Sequence, residues 1–510
     1  MEKRTKISLC IAISGVVVLI LGVILGWVVL PFVIKIMIDK EARLTNGTLI
    51  YDKWVDIPLP IHLHVYVWRV VNIDDYVGSN WTTKPILEEV GPYVYSEKRV
   101  KYEITPNVER DTVFFRQNIT YTFVPELSIG PETDTVDVLN APLLAVATIL
   151  YTIPEKYLPL PHRSFMELLM GPLSGEKFIR KAVSVHDIVF GVRLNFIYDI
   201  ILVLVELILG DYVTLPPELQ NVGGRGWQFA PFVNKNGTNS DGLWEIYSGV
   251  RDNSMVNMIR TVNNNETIGN GKYWGTPECN KFRGGDGIFF PPYVEKTDRL
   301  YVYATEVCRS AWAAYQHESE FRGISTYRFA ATKDLFASPD EFPENECYCV
   351  TPREPLDPTC APTGVVRLRS CKTGAPVVMS KPHFLDADES VINGVTGMKP
   401  EKEKHDTFLD IEPTLGVPLK GVRRIQVNVE TQPFISMGEI FKTLPFSYIP
   451  FIWVGEGAEL DDDLYNELKS MYLTPLKIAN IGKWTAVGLG IAGTLGGAVA
   501  LGYFTWWLKR

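Results

Sequence analysis

The stretch ISLCIAISGVVVLILGVILGWVVLPFVI, residues 7–34, contains 28 residues and no charged side chain. A helix of about 20 apolar residues crosses a hydrocarbon core about 30 Å thick, so this stretch is long enough to span a membrane. A second uncharged stretch, WTAVGLGIAGTLGGAVALGYFTWWL, occupies residues 484–508. The intervening residues 35–483 have the polarity of an ordinary globular protein. This pattern excludes a cytosolic enzyme, a disordered regulator and a transporter with many membrane spans.

The first apolar stretch follows the basic residues Lys3, Arg4 and Lys6, an arrangement also found at the start of cleaved signal peptides. The apolar core of a signal peptide has about 7–15 residues and leads into a small-residue cleavage site. The stretch here has 28 residues and leaves through the Leu-Pro-Phe of residues 30–32. We therefore interpret it as a retained membrane anchor.

The region between the apolar stretches carries five Asn-x-Ser/Thr sequons, which are glycosylated only in the secretory lumen. They are Asn46, Asn80, Asn118, Asn236 and Asn265. Residues 35–483 are therefore predicted to be extracellular or lumenal, and the tails at residues 1–6 and 509–510 to be cytoplasmic. The positive-inside rule alone does not decide this orientation, because basic residues also follow the first span closely. The tails carry no acidic dileucine or Tyr-based sorting element, so we expect the plasma membrane, with endosomal or lysosomal membranes as the alternative.

Six of the seven cysteines cluster in one part of the central region. They are Cys279, Cys308, Cys347, Cys349, Cys360 and Cys371. An even number of cysteines in a glycosylated domain indicates a disulfide framework, although the residues alone leave every pairing open. The alternative is a zinc site at the Cys-x-Cys of residues 347–349, but residues 318–382 contain no His to complete it. Cys10 lies in the first span, where palmitoylation and an inert membrane cysteine both fit.

Apolar periodicity divides the central region into two kinds of structure. Residues 61–70, 112–123 and 422–430 alternate apolar and polar side chains, which predicts β-strands. Apolar runs rich in Leu, Ile and Ala predict helices within residues 140–211; they are residues 143–151, 165–170 and 195–209. The last run contains acidic residues and is too short for a third span. We therefore predict a β-rich ectodomain with one helical section.

Small residues dominate the only nucleotide-like motif, a G-x-G-x-x-G match at residues 488–493. It lies inside the second span with no strand before it, so it does not predict a nucleotide site. Gly493 and Gly497 in this span, and Gly22 and Gly26 in the first, are spaced four residues apart. This spacing lets membrane helices approach closely, which is one interpretation beside chance.

Other polar groups give weak signals for chemistry. His62 and His64 share one strand face, where we favour a partly buried pair over a metal site. Residues 461–463 are three aspartates that we interpret as a helix start rather than a cation site. Ecto-nucleotidases share the length, the two spans and the disulfides, but their phosphate loops need Asp-Gly-(Ser/Thr), and the pairs starting at Asp241 and Asp286 lack the hydroxyl. Two-span ligand-gated channels usually have longer tails and polar pore-lining residues.

Short motifs occur in a fixed order along the central region. They are WVDIPLP at 54–60, EVGPYVY at 89–95, FPP at 290–292, CRS at 308–310, FRGISTYRF at 321–329, CYC at 347–349, KPHFLDAD at 381–388, LDIEP at 409–413, GVP at 416–418 and RIQVN at 424–428. In these motifs the chain resembles the class B scavenger receptors, from its first span to its last. Residues 343–349 and 374–376 resemble the arthropod branch, which includes sensory neuron membrane proteins and carotenoid-uptake receptors.

The resemblance implies a fold and a set of functional residues. The fold is a two-span membrane protein whose α+β ectodomain is a large irregular antiparallel β-barrel with an apical helical bundle at residues 140–211 and an internal lipid tunnel. The resemblance also implies three disulfides in the section 279–371: Cys279–Cys347, Cys308–Cys371 and Cys349–Cys360. Family ligand binding involves apical basic residues, and the nearest positions in character here are Lys177, Arg180 and Lys181.

The resemblance further implies a receptor without catalytic residues, metal or cofactor, which binds hydrophobic ligands or their carriers and passes lipids such as sterols, fatty acids or carotenoids through the tunnel. Expected partners are lipids, lipoprotein particles or lipid-carrier proteins, and a homo-oligomer is compatible with them. Nucleic acid is not expected, since acidic side chains outnumber basic ones by 59 to 50. The alternatives are a sensory neuron membrane protein that passes odorants to a channel and, more remotely, an ecto-nucleotidase.

Overall fold

The computed structural model of the protein describes residues 2–508 except 152, 154, 174–175, 211–214, 239–240, 351–359 and 435–441. The chain divides into two compact units. The terminal unit comprises Met1–Arg43 with Leu460–Arg510, and the sheet unit comprises Leu44–Glu459.

The helices are distributed over both units. In chain order they are α1 (Glu2–Ile24), α2 (Leu30–Glu41), α3 (Leu49–Val55), α4 (Ile73–Gly78), α5 (Ala141–Tyr151), α6 (His162–Met170), α7 (Val185–Phe190), α8 (Phe196–Leu209), α9 (Glu389–Ile392), α10 (Lys402–His405), α11 (Asp462–Leu468) and α12 (Thr474–Leu508).

The strands all belong to the sheet unit. They are β1 (Ile61–Val70), β2 (Leu87–Asn107), β3 (Thr112–Phe123), β4 (Thr135–Leu139), β5 (Ile179–Ser184), β6 (Val192–Arg193), β7 (Leu219–Asn221), β8 (Trp227–Phe229), β9 (Trp244–Tyr247), β10 (Ile259–Val262), β11 (Arg299–Ala304), β12 (Arg309–Phe321), β13 (Ile324–Ala330), β14 (Val365–Arg367), β15 (Val377–Ser380), β16 (Phe408–Glu412), β17 (Val417–Thr431) and β18 (Ser447–Glu459).

Two helical segments of the terminal unit, Lys3–Glu41 and Thr474–Trp507, are long and apolar enough to cross a membrane. They contain the first predicted span and all but the last residue of the second. A π-helical turn at Leu25–Val29 joins α1 to α2. The aspartates before the second segment act as the predicted helix start, because the Asp461 side chain accepts a hydrogen bond from Leu464 N at 2.9 Å.

The glycines predicted to allow close helix packing lie where α1 meets α12. A Cβ atom added at Gly493 would lie 3.1 Å from the Cα of Gly15, and one added at Gly497 would lie 2.7 Å from the Cα of Ala12. A Cβ at Gly22 would likewise lie 3.1 Å from that of Ala486. Hydrogen side chains at these positions let the two helix backbones touch, which favours association in an apolar solvent.

Strand β1 shows why the alternating sequences form a sheet. Its side chains at Leu63, Val65 and Val67 are buried, while those of His62 and His64 are half-buried on the other face. The strand pairs antiparallel with β2 on one side and β18 on the other. The three predicted strands correspond to β1, β3 and β17, so period-2 alternation located them correctly.

These strands belong to a 13-stranded antiparallel sheet in the order β10-β9-β3-β2-β1-β18-β17-β16-β13-β12-β11, with β15 and β14 attached to β17. The strand order is open, since no ladder joins β10 to β11 in the described residues, so the antiparallel sheet is confirmed but the closed barrel implied by the resemblance is not found. The segment Gly284–Gly285 lies between these ends: Ile259 N donates to Gly284 O at 2.9 Å, and Tyr303 N donates to Gly285 O at 3.1 Å. Gly284 has a positive φ of 76° and its α-carbon faces the Tyr301 carbonyl, so a side chain would not fit.

The predicted helical section contains α5, α6, α7 and α8. The apolar runs at 143–151, 165–170 and 195–209 coincide with three of them, and Asn195 caps α8 by accepting from Ile197 N at 3.0 Å. The antiparallel pair of β4 and β5 was not predicted. Each strand is short, and two helices separate them in the sequence, so neither gave a recognisable signal alone.

Three disulfides tie the region after β10 together. They join Cys279 to Cys347, Cys308 to Cys371 and Cys349 to Cys360. These are the pairs that the family resemblance implies. Because Cys347 and Cys349 are both oxidised, neither is available as a zinc ligand.

Candidate functional site

A cavity of about 290 Å³ opens in the sheet unit. Apolar side chains from strands at both ends of the sheet and from its middle line it, among them Ile61, Phe115, Trp244, Val302 and Leu419. Because β9 and β11 lie near opposite ends of the strand order yet share this wall, the sheet curls around the cavity. The residues of this wall fall within 57–119 and 241–458, and the lining includes no residue of the helical section.

A buried lysine supports one side of the cavity. The Lys101 ammonium lies 5.0 Å from the ring centre of Trp54, 5.4 Å from that of Phe115 and 3.3 Å from a carboxylate oxygen of Asp286. Burial lowers the pKa of Lys101 to about 8, although Asp286 acts in the opposite direction. The ion pair of Lys101 and Asp286 therefore lies directly behind the apolar side chain of Phe115, which lines the cavity.

A chain of ion pairs, which we call the interior ion chain, joins Glu97, Arg99, Glu456, Arg423 and Glu306. All of them except Glu97 line the cavity. Arg99 donates to Glu97, and its Nη2 lies 2.5 Å from Glu456 Oε1. Arg423 Nη2 lies 2.6 Å from Glu456 Oε2, and its Nη1 lies 3.1 Å from Glu306 Oε2. Arg423 and Glu456 are direct partners in the β17–β18 register, so strand pairing brings these charges together.

The acids of this wall and of the interior ion chain differ in how readily they ionise. Burial, reinforced by the nearby Glu456, raises the pKa of Glu97 to about 7. Burial also raises the pKa of Asp241, which lines the cavity. Burial opposes ionisation of Glu306 as well, but Arg423 and Lys235 outweigh it and hold the pKa of Glu306 far below its usual range. The cavity thus combines apolar walls with one strongly polar side.

Both Asp-Gly pairs considered for a phosphate site lie at this cavity. Asp286 is occupied by Lys101 and also accepts from Asn257 Nδ2 at 2.8 Å. Asp241 and Asp286 are followed by Leu243 and Ile288 at the position where a phosphate loop has its hydroxyl. Both carboxylates therefore belong to the wall of the cavity.

The basic residues that the resemblance implies for ligand binding lie on or next to a strand. Arg180 and Lys181 belong to β5, and Lys177 precedes it. Lys177 and Lys181 are exposed, while Arg180 is half-buried and donates to the carbonyl of Arg193 at 3.4 Å. This segment contacts the residues just before α8 through Arg180 and through Glu176, whose carboxylate accepts from Asn195 Nδ2.

Helix α8 is apolar on both sides. Tyr198, Ile201, Leu202 and Val205 are buried against the core. The opposite face exposes six large apolar side chains: Phe196, Ile200, Val203, Leu204, Leu207 and Ile208. Their spacing of four, seven, eight, eleven and twelve residues from the first places them on one uncharged stripe. Asp199 and Glu206 are the two charged residues of α8 and lie to one side of this stripe. An exposed apolar surface of this extent is typical of contact with a partner or an apolar phase.

The predicted glycosylation sites differ in exposure. Asn46, Asn80 and Asn236 are exposed, and Asn118 and Asn265 are half-buried. Asn236 uses its side chain to accept from Tyr121 N at 2.9 Å and to donate to Tyr121 O at 3.1 Å.

The two histidines of β1 have ring centres 6.3 Å apart. Over the described ranges, no group of three or more His, Cys, Asp or Glu side chains is arranged to hold a metal ion.

Several residues of the ordered motifs build the scaffold around the site. Lys381 donates to Ala331 O, Asp386 and Asp406 within 2.8 Å. Arg328 forms a two-point ion pair with Asp410. Lys381 and Arg328 belong to motifs found in the sequence, but their partners become clear only from the arrangement of the strands.

Known proteins match this chain along nearly its whole length. The profile of the CD36 family matches residues 13–501. The chain is 32% identical over 507 residues to sensory neuron membrane protein 2 of Manduca sexta, covering 97% of this chain and 94% of that protein. It is 29% identical to lysosome membrane protein 2 of Rattus norvegicus, over 89% and 86% of the two chains. With scavenger receptor class B member 1 of Rattus norvegicus it shares 28%, over 95% and 87%.

Proposed function

Because the chain belongs to the CD36 family, which includes the class B scavenger receptors, we propose that it is a membrane receptor that binds hydrophobic ligands or their carriers and facilitates lipid uptake. The observation that carries this proposal is the apolar-lined cavity around which the sheet curls. The transported molecules are lipids of the sterol, fatty-acid or carotenoid kind.

The physical basis of uptake is desolvation. Each CH₂ group of a lipid exposed to water costs about 0.8 kcal/mol. A continuous apolar tunnel that extends the cavity would remove most of this cost along the path to the membrane. Transport is then passive and reversible, and the protein acts without enzymatic chemistry.

Docking takes place at the helical section, where α8 presents its uncharged apolar stripe. We assign the lipid surface of a particle as the occupant, because the stripe has no hydrogen-bonding groups and because Lys177, Arg180 and Lys181 lie in the segment that borders the residues just before α8. Such a cationic border is complementary to anionic lipid headgroups. A carrier protein that offers its own polar groups fits this stripe less well.

The two apolar terminal helices support a two-pass membrane topology. With both tails cytoplasmic, the sheet unit faces the outside of the cell, and its five Asn-x-Thr sequons are N-glycosylated. We place the protein in the plasma membrane, with the endosomal or lysosomal membrane as the alternative.

A second candidate function is sensory. The 32% identity to a sensory neuron membrane protein over 97% of this chain favours a role in passing lipid-like odorants to a receptor channel. Expression confined to antennal sensilla would favour this role, and expression in gut, haemocytes or fat body would favour lipid scavenging. If the chain were an ecto-nucleotidase, intact cells that express it would release phosphate from nucleotides in a cation-dependent reaction. We expect no such release.

Uptake of a fluorescent lipid by cells that express the chain tests the main proposal. Val302→Trp places an indole in the cavity, since Val302 lines it, and should reduce uptake to the level of untransfected cells. Val108→Trp is the matched control, because Val108 is 81% exposed, and should behave like wild type. Surface labelling must show equal display of all three proteins. Equal uptake by Val302→Trp and wild type would refute transport through the cavity.

A further inference from the structure

Arg309 is a buried arginine without a carboxylate partner among the described residues. It is the first residue of β12 and is 1% exposed. Its Nε and Nη2 atoms are buried, and no described residue forms a hydrogen bond with either of them. Arg369 is also buried, but it pairs with Glu430 at 2.8 Å. Arg309 therefore carries a charge that the described part of the chain leaves without a counter-charge.

Aromatic stacking holds the Arg309 side chain in place. Its Cζ atom lies 3.5 Å from the ring centre of Tyr348 and 5.7 Å from that of Trp312. A guanidinium that stacks on a ring uses its flat face, so the N–H groups at its edge remain free to donate. Burial lowers the pKa of Arg309 against the opposing effect of Tyr348, but arginine still stays protonated in proteins. The site thus offers charged donors in a fixed orientation.

Arg309 lines a separate cavity of about 40 Å³, which we call the Arg309 cavity. The described residues of its lining include two arginines and no Asp or Glu. The second arginine, Arg367, already donates to Glu430 at 2.8 Å. About 10–15 Å³ is enough to hold one water molecule. The Arg309 cavity therefore has room for a chloride-sized ion and a water, but not for a lipid.

We propose that the Arg309 cavity binds one small monovalent anion of the halide class, chloride in an extracellular or lumenal fluid. The anion accepts hydrogen bonds from Nε and Nη2 and neutralises the guanidinium. Water alone would accept the same bonds but would leave the buried charge without a counter-ion, which is costly. A water beside the anion donates to Asn345 Oδ1, a further buried atom of this lining for which the described residues supply no donor.

The position of the Arg309 cavity gives the anion a structural effect. The lining includes the first residue of β12, residues of β14 and both cysteines of the Cys349–Cys360 disulfide. An anion held between these segments stabilises their packing. Because a ligand that binds only the folded chain raises its stability, the stability of the protein should depend on the chloride concentration.

Melting of the full chain in detergent micelles tests this dependence. Sodium gluconate is replaced stepwise by sodium chloride at constant ionic strength, since gluconate is too large for a cavity of about 40 Å³. We expect the melting temperature to rise, with each tenfold increase in chloride above its Kd adding about 1.4 kcal/mol to the free energy of unfolding. Equilibrium dialysis with radiolabelled chloride should give one bound ion per chain. A melting temperature that does not respond to chloride, or the absence of bound chloride, would overturn the inference.

Three variants then locate the anion. Arg309→Met removes the donors and should abolish the chloride dependence; in gluconate it should melt no lower than wild type, because it removes an unpaired buried charge. Ala361→Leu places a larger side chain in the cavity while keeping Arg309, so it gives the same test if Arg309→Met does not fold. Arg69→Met is the matched control, because Arg69 pairs with Glu88 at 3.1 Å on the surface, and it should keep the wild-type dependence. Wild-type dependence in both cavity variants would refute the assignment and indicate binding elsewhere on the chain.

Discussion

His383 donates its Nε2 hydrogen to the carboxylate of Glu89, with 2.7 Å between Nε2 and Oε2. The direction of this bond is determined by the other ring nitrogen, since Nδ1 accepts from Lys399 N at 3.0 Å and therefore carries no hydrogen. Trp453 donates to the same carboxylate oxygen at 2.6 Å. The ring of His405 stacks on His383 with ring centres 4.1 Å apart. A loop, an edge of β2 and β18 are thus joined through one glutamate.

The stacked pair predicts a loss of stability in acid. Burial and the neighbouring His383 ring lower the pKa of His405 to about 4, against the opposing effects of Glu89 and Glu401. A folded-state pKa below the unfolded value of about 6.5 means that stability is present above pH 6.5 and is lost as the pH falls towards 4. The loss amounts to about 3 kcal/mol.

This loss is measured as the melting temperature of the full chain in detergent between pH 7 and pH 4. His405→Gln should flatten the pH dependence, because it removes the titrating ring. His317→Gln, at an exposed histidine, should retain the wild-type slope. An unchanged slope in His405→Gln would show that other groups cause the acid sensitivity.

The buried lysine of the cavity wall predicts a second effect. Lys101→Met leaves the Asp286 carboxylate without its ionic partner, and breaking a buried pair costs about 3–5 kcal/mol. Lys98→Met on the same strand is the control, because Lys98 is 66% exposed and lies 3.8 Å from Asp56. Exposed pairs contribute about 0–1 kcal/mol. Denaturant unfolding compares the two variants, and a similar small cost for both would contradict the role given to Lys101.

Adjacent glycines of α12 test the helix contact in the terminal unit. Gly497→Leu would force a side chain against Ala12 of α1, while nothing lies within 4 Å of a Cβ added at Gly496. Overpacking costs about 1–3 kcal/mol. Thermal unfolding in micelles should therefore show a lower melting temperature for Gly497→Leu than for wild type and an unchanged one for Gly496→Leu. Equal behaviour of the two variants would argue against a close α1–α12 contact.

The apolar stripe of α8 predicts binding to lipid surfaces. Leu207 is 76% exposed, and Leu207→Ser removes apolar area from the stripe without disturbing the buried face. Affinity for phosphatidylcholine vesicles that contain phosphatidylserine should fall about tenfold, the effect of about 1.4 kcal/mol of lost burial. Val108→Ser, far from the stripe in sequence and also exposed, should bind normally in the same flotation assay. Undiminished binding by Leu207→Ser would exclude the stripe as the docking surface.

The features predicted correctly are those that depend on neighbouring residues. The two uncharged stretches, the alternation of Leu63, Val65 and Val67 in β1, and the apolar run that became α8 each carry their signal within about 30 residues. The disulfide pairs came from resemblance, because spacing alone did not select them. Strand β5, which carries Arg180 and Lys181, was not predicted, since it forms by pairing with the distant β4.

Sequence by itself determined that this chain has two segments able to span a membrane and a large β-rich, cysteine-linked domain between them, because local polarity and periodicity decide those features. Only the tertiary structure decided which charges meet in the cavity. Arg99 lies more than 300 residues before Arg423 and Glu456 in the chain, and the strand pairings β1–β2, β1–β18 and β17–β18 bring the three together. A shift of one residue in any of these registers would turn the side chains of one strand to the opposite face.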